Sequence, residues 1–430
     1  MSYQERLLKA IPGGAHTYSR GFDQFPENSP QILERGEGAY VFDEKGGKYL
    51  DYGMALRAVN IGYANKEVNL AAFKQMKFGN NLTKPSIIEL EAAELLIDLI
   101  DSVDMVKFTK NGSTATTAAV KLSRAYTDRN MIARCSEHPF FSYDDWFIGS
   151  TVMKKGVQNK DVEGTKLFNY NNIESLEGIF SEYPNEIACV ILEPSSSEHP
   201  KDNFLQKVKA LCEKYGAVFI LDEMITGFRW HIKGAQHYYN VDADLCTFGK
   251  AMANGFSVAA VAGKREIMEM GSIETVGQER LFLLSTTHGA EMNGLGAFVE
   301  SVRLMKDNDI VDHLWRYGKK LISMMNFQAK EFGLEKNFIA GGVDCSPYYL
   351  TFDNDGNGSL DLRTLFAQEM TKNGVIMPWL ALSYAHGDRE LKLTEDAIIE
   401  TFKVYKKAVN KGCDKFLNGS AIKPVFRKYN

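Results

Sequence analysis

Nothing in this 430-residue chain repeats, and no tract is of low complexity. No apolar run approaches the roughly 20 residues a membrane-spanning helix needs. The opening MSYQERLLKAIPGG lacks the apolar stretch of a secretory signal. The six cysteines, at 135, 189, 212, 246, 345 and 413, form no C-x-x-C pair and read as reduced, mostly buried thiols of a cytosolic protein. The eight histidines show no metal spacing; His231 and His237 read as structural or surface residues. A net charge of −5 without a basic run argues against nucleic acid as the main partner. The expectation is a soluble cytoplasmic protein with no metal site. With 44% hydrophobic residues it can bury a large core in more than one domain. The polar, turn-rich FDNDGNGSLD (352–361) reads as a surface loop.

The residues that are present converge on the stretch 218–254. Its first part, VFILDE, is a short apolar strand ending in Asp222 and Glu223. A second short strand, ADLCTF, ends at Gly249 and Lys250. A lone buried ammonium is costly, so a lysine just past a buried strand is deprotonated, paired or used covalently. An acid at the end of one strand and a lysine at the end of the next suit pyridoxal 5'-phosphate (PLP). The lysine amine bonds to the cofactor's aldehyde carbon, and the acid keeps the pyridine nitrogen protonated so that the ring accepts electrons. Parallel strands bring such residues together at their carboxyl ends, where open α/β sheets bind ligands. Taken alone, an Asp and a Lys near strand ends are common in any α/β protein.

The surroundings have the rhythm of such a sheet. EIACVILEP (186–194) is a near-continuous apolar run, as in a buried parallel strand, and ends at Glu193. FLQKVKALCEKYGA (204–217) is an amphipathic helix with Gly216 at its C-cap. It leads into the strand ending in Asp222, and this alternation is the doubly wound α/β pattern. Upstream, MVKFTKNGSTATTAAV reads as strand, turn and helix. Asn111, Gly112, Ser113 and Thr114 sit at the turn, and amides and hydroxyls at a helix N-terminus hold a phosphate well. The same residues also make an ordinary N-cap. Residues 4–11, 86–100, 361–373 and 394–411 read as helices. GEGAYVFDEKGGKYLDYG (36–53) reads as an antiparallel hairpin around Lys-Gly-Gly.

The phrases DEMITGFR and ADLCTFGKAMANG resemble two signatures of the class III (fold type I) PLP-dependent aminotransferases. The glutamate-1-semialdehyde 2,1-aminomutase branch looks most similar: IPGGAHTYSRGF is like that branch's IPGGVNSPVRAF, and GKREIMEM like its GGRREIMEM. The resemblance spans nearly the whole chain. It implies an N-terminal arm and hairpin over 1–60 belonging to a smaller α+β domain, a large PLP-binding domain over 61–310 and the rest of the small domain over 311–430.

What the resemblance implies for residues can be placed one by one. Lys250 and Asp222 hold PLP and carry the catalysis. Asn111, Gly112, Ser113 and Thr114 hold its phosphate, with Asn111 where the family has serine and Thr114 where it has glutamate. An aromatic stacks on the ring at Phe140, or at Phe141 if the match slips by one; either ring also suits a core. Glu193 supports the cofactor side. Thr286 reaches the phosphate of a neighbouring subunit, which implies a homodimer; by itself Thr286 reads as an N-cap of the following helix. Arg20 binds a substrate carboxylate, the natural task of its planar fork, with Thr17 beside it; alone, Arg20 reads equally as a solvated arginine. Arg57, beside Leu56 where the branch has an aromatic, is a second anion anchor or a plain surface residue. Ser383–His386 matches the end of an aminomutase motif whose glutamate is replaced near Pro378 or Trp379. The expected function is transfer of an amino group from an amino acid to a keto acid, aldehyde or keto sugar. The alternatives are the aminomutase itself and a chemically silent protein of the same fold.

Overall fold

The first helix, Tyr3–Ala10, starts where its sequence can cap it. Ser2 Oγ accepts from the Glu5 amide at 3.2 Å, and Glu5 Oε2 accepts from the Ser2 amide at 2.7 Å. It stops before Pro12, which cannot continue it. Three antiparallel strands follow, β1 (Leu33–Glu37), β2 (Tyr40–Asp43) and β3 (Lys48–Asp51). The β2–β3 turn falls at Lys45-Gly46-Gly47, where Asp43 Oδ1 accepts from the Lys45 and Gly47 amides at 2.9 and 2.7 Å.

Past β3 the backbone turns left-handed. Met54, Ala55, Leu56 and Arg57 have φ of 40°, 49°, 63° and 67°. For residues with a Cβ this costs about 1–2 kcal/mol each, and tertiary contacts must offset it. The buried Asp51 carboxylate accepts from the Gly53 and Met54 amides at 2.7 and 3.0 Å and from the Tyr63 hydroxyl at 2.6 Å. Tyr63 Oη in turn accepts from the Ala55 amide at 2.8 Å. Trp379 Nε1 donates to the Gly53 carbonyl at 3.0 Å.

The computed structural model describes residues 1–430, which form two units: Met1–Asn65 with Asp312–Arg427, and Lys66–Val311 with Lys428–Asn430. The second unit is built on β4 (Met105–Thr109), β5 (Met131–Cys135), β6 (Thr165–Phe168), β7 (Ile187–Leu192), β8 (Val218–Asp222), β9 (Leu245–Phe248) and β10 (Ala259–Gly263). Their order across the sheet is β4-β10-β9-β8-β7-β5-β6. The strands from β9 to β6 are parallel, so the mostly parallel, doubly wound sheet is present. β7, β8, β9 and β10 are buried at every position, as their unbroken apolar runs require. β10 runs antiparallel to both neighbours. Its link to β9 is only about ten residues, and a parallel crossover needs a dozen or more. The helix Gly112–Thr127 crosses this sheet on its small face, Ala115, Thr116, Ala118 and Ala119. The helix Phe204–Tyr215 ends at Gly216 in the left-handed conformation, φ 65°.

The first unit is completed by β11 (Phe338–Val343) and β12 (Ser346–Thr351), an antiparallel pair, and by β13 (Val375–Ile376), which lies parallel to β3. Its helices are Leu360–Lys372 and Asp388–Lys411. The latter starts six residues earlier than its apolar pattern indicates, because Glu390 Oε2 accepts from the Gly387 amide at 3.0 Å and caps it there. No helix is long and apolar enough to cross a membrane.

Candidate active site

Three strand ends meet around Met224. A Cβ on Gly112 would lie 2.9 Å from Met224 Sδ, and one on Gly249 would lie 2.7 Å from it. Both glycines are therefore close-approach positions. They bring the start of the helix after β4, the turn after β8 and the turn after β9 against one side chain. Ala115 and Ala259 complete this small cluster.

Asp222 ends β8 and is 2% exposed. Its Oδ1 accepts from the Met224 amide at 3.0 Å and from Thr247 Oγ1 at 2.9 Å. Thr247 is its register partner on β9. Burial pushes the Asp222 carboxyl up to about 6, against the opposing pull of the Lys250 charge and these two hydrogen bonds. At neutral pH it is an anion in a dry place. Lys250 opens a short 3-10 turn and is itself held at φ 46°, in the left-handed region. It remains partly exposed, and its charge acts on Asp222.

The helix Gly112–Thr127 presents its N-terminus at the same end of the sheet. Asn111 is its N-cap, with Oδ1 accepting from the Thr114 amide at 2.9 Å and Thr114 Oγ1 at 3.0 Å. The Gly112 and Ser113 amides, in the first turn, have no intrahelical acceptor by geometry and are available to an anion. Ser113 Oγ accepts from the Tyr143 amide at 3.2 Å, tying the loop after β5 to this helix start.

That loop carries the two adjacent phenylalanines, and the structure separates them. Phe141 is 2% exposed and packs edge-on against Phe147 and His138, while its carbonyl accepts from Thr116 Oγ1. Phe140 is 46% exposed. Phe141 is a core residue, and Phe140 is the ring with a face to offer. Glu193 is buried just past β7, and its amide donates to His138 Nδ1 at 2.9 Å. Burial holds His138 at about 3, so it is a neutral acceptor there. Sequence reasoning missed His138, Thr247 and Met224. The placement of His138 just before Phe140 and of Thr247 just before Lys250 was the only available signal.

Thr286 is exposed, in the coil before the helix Met292–Asp307. Glu291 is the N-cap of that helix, so Thr286 does not cap it. Thr17, Arg20 and Arg57 belong to the other unit. Thr17 precedes a 3-10 turn, Tyr18–Arg20, on which Arg20 is exposed. Arg57 is partly buried at the end of the left-handed turn.

The residues present fit PLP in kind: a dry carboxylate for a ring nitrogen, an amine beside it, open helix amides for a phosphate and an exposed aromatic face. A profile of the family Aminotransferase class-III matches residues 24–336. The chain is 29% identical over 415 residues to a glutamate-1-semialdehyde 2,1-aminomutase of Francisella philomiragia, covering 91% of this chain and 94% of that one. It is 31% identical over 420 residues to a 3-aminobutyryl-CoA aminotransferase of Cloacimonas acidaminovorans, covering 95% and 97%. Among solved structures, the fold is shared with the PLP internal aldimine form of the Sphingopyxis sp. MTA144 FumI protein, with TM-score 0.86, 24% identity and coverage of 95% and 97%. It is shared also with an omega-transaminase from Sphaerobacter thermophilus, with TM-score 0.84, 23% identity and coverage of 94% and 97%.

Proposed function

The chain belongs to the class-III aminotransferases, and from that premise we propose that it moves an amino group between two molecules, from an amino-acid donor to an anionic carbonyl acceptor. The observation that carries the site assignment is the buried Asp222 carboxyl, held at about 6 beside Lys250 on the neighbouring strand end. Bound PLP supplies the electron sink and the carbon that carries the amino group between half-reactions. Asp222 would hold the ring nitrogen as its cation, and Thr247 Oγ1 and the Met224 amide fix that carboxylate's direction. With PLP bound, the Lys250 amine would bond to it and, once released, would hold and move the proton at the donor Cα. The Gly112 and Ser113 amides would hold the phosphate, with Asn111 and Thr114 shaping the turn, and Phe140 would offer its exposed ring to the cofactor. Glu193 is held near this end through His138. Arg20, with Thr17, takes a donor carboxylate, and Arg57 a second anionic group.

Transfer between two molecules is favoured over the aminomutase reaction by the residues at the substrate end. An aminomutase must hold a diamine while both ends react. Here Trp379, near the place of that branch's glutamate, has its Nε1 committed to the Gly53 carbonyl, and Arg57 adds positive charge, which repels an amine. The test has two arms. A panel of amines, including glutamate, alanine and a 3-aminoacyl thioester, is followed by the cofactor's absorbance to find the donor. Glutamate-1-semialdehyde is then incubated with the enzyme alone. Little or no 5-aminolevulinate is expected; turnover at a dedicated enzyme's rate without an external donor reverses the reading.

The active form is a homodimer in the cytoplasm. The support is an apolar surface on the helices Lys66–Met76 and Ile87–Leu99 and their link: Leu70, Phe73, Met76, Phe78, Ile87 and Leu90 each expose half or more of their surface. Exposed apolar side chains in this number are what an interface would cover, and a two-fold dimer is the commonest closed assembly. Thr286, reaching a partner's phosphate, couples assembly to cofactor. Thr286→Ala is expected to weaken PLP binding about tenfold or more, the loss of one hydrogen bond to a charged group. An active monomer in sedimentation at assay concentration rules the dimer out.

A further inference from the structure

We propose that Asp51 and Tyr63 are positioning residues that force Met54–Arg57 into its left-handed turn and thereby fix where Leu56 and Arg57 stand; this rests on the reading of Arg57 as a substrate contact. Nothing in the local sequence asks for this backbone. The turn contains no glycine, asparagine or aspartate, the residues that enter the left-handed region readily. The chain compensates with a buried carboxylate that meets the Gly53 amide just before the turn and the Met54 amide at its head, and a phenol that meets the Ala55 amide. The two groups also meet each other. The Asp51 carboxyl is buried, and burial raises it while the Tyr63 hydroxyl and the two amides draw it back down. Met54, at the head of the turn, is fully buried against Val59 and Ala381, with Ala55, Tyr63 and Trp379 packed around them. The far side of the turn closes through the Val59 amide on the Met54 carbonyl at 3.2 Å. Arg20 lies near enough for its charge to act on Tyr63.

Strained backbone held by surrounding contacts is characteristic of places where a ligand must be met in a fixed geometry. A chain that only needed to connect β3 to the following helix would place glycine here. Holding Met-Ala-Leu-Arg in this conformation keeps side chains at positions where glycine would present none. The consequence is selectivity by position: an apolar side chain at Leu56 and a cation at Arg57 are held on a backbone that a right-handed turn would not reproduce.

The experiment uses the holoenzyme as wild type, Tyr63→Phe, Ala55→Gly and the double variant. Two quantities are read in each: hydrogen exchange of the amides over residues 53–59, and KM and kcat for 2-oxoglutarate with the donor found above. Tyr63→Phe is expected to speed exchange about tenfold and to raise KM about tenfold with kcat within about twofold. In the double variant both values return toward wild type, because glycine holds a positive φ unaided. Removing a methyl group does not repair a packing defect, so failure of glycine to restore exchange overturns the proposal. Unchanged exchange in Tyr63→Phe overturns it as well. Arg57→Ala separates the underlying reading. If it leaves KM unchanged while exchange behaves as stated, Arg57 is no substrate contact and the positioning role falls with it. If Arg57→Ala raises KM and Tyr63→Phe does not, only the positioning role is lost.

Discussion

Lys250→Ala is expected to leave the fold intact and to lower turnover by at least about 10³-fold, the scale of a lost general acid–base group. The residue follows β9 in a turn whose other members, Ala251, Met252 and Ala253, are buried. Their packing holds the backbone whether or not the amine is present. Lys250 is only partly buried, so truncating it opens no large core cavity. Borohydride reduction followed by peptide mass mapping is expected to fix PLP at Lys250 in the wild type and nowhere in the variant. The same test distinguishes an enzyme from a chemically silent relative of the fold. Cofactor still fixed to the variant, with full activity, removes Lys250 from its role.

Asp222→Asn is expected to act in opposite directions on catalysis and on the empty protein. Turnover falls by about 10²–10³-fold, the usual size of losing one preorganised charge at a reacting group. In the cofactor-free protein the carboxyl, raised by burial to about 6, lies above its unfolded value of about 3.9. The native state therefore holds this proton more tightly than the unfolded chain does. The favourable contribution is present below about pH 4 and is lost as pH rises through about 6. At pH 8 the ionised group lowers the empty protein's stability, by an upper bound of about 3 kcal/mol from a shift of roughly two pH units. Asparagine does not ionise, so the empty variant is expected to melt above the empty wild type at pH 8 and level with it near pH 4. Equal melting at both pH values shows that Asp222 is not held as a strained anion.

Both residues were legible because fully buried strands read as apolar runs, and the first polar residue past such a run marks its carboxyl end. Asp222 and Lys250 stand at two such ends. The turn at Asn111–Thr114 was legible for the complementary reason, small polar residues before a helical pattern. Phe140 and Phe141 were not separable, because they lie in coil, where no period assigns one side chain inward and its neighbour outward. Their exposures of 46% and 2% are settled by Phe147 and His138, which the chain brings in from either side. The left-handed turn at Met54–Arg57 was invisible for a deeper reason. Its residues have no preference for that conformation, and the groups that impose it include Tyr63 and Trp379, the latter more than 300 positions away. The direction of β10 was legible in principle, from the length of the link behind it.

The pairing of β13 with β3 has a consequence in time. Val375 meets Leu50 and Ile376 meets Asp51, partners about 325 residues apart in the order of synthesis. At roughly 5–20 residues per second the ribosome needs roughly 15–65 s to cover that distance. Through that interval β1–β3 have left the tunnel with one edge unpaired, while the whole of β4–β10 is made and can close upon itself. An open strand edge is a template for the wrong partner. The newborn chain therefore carries an open edge at β3 until β13 arrives to pair with it.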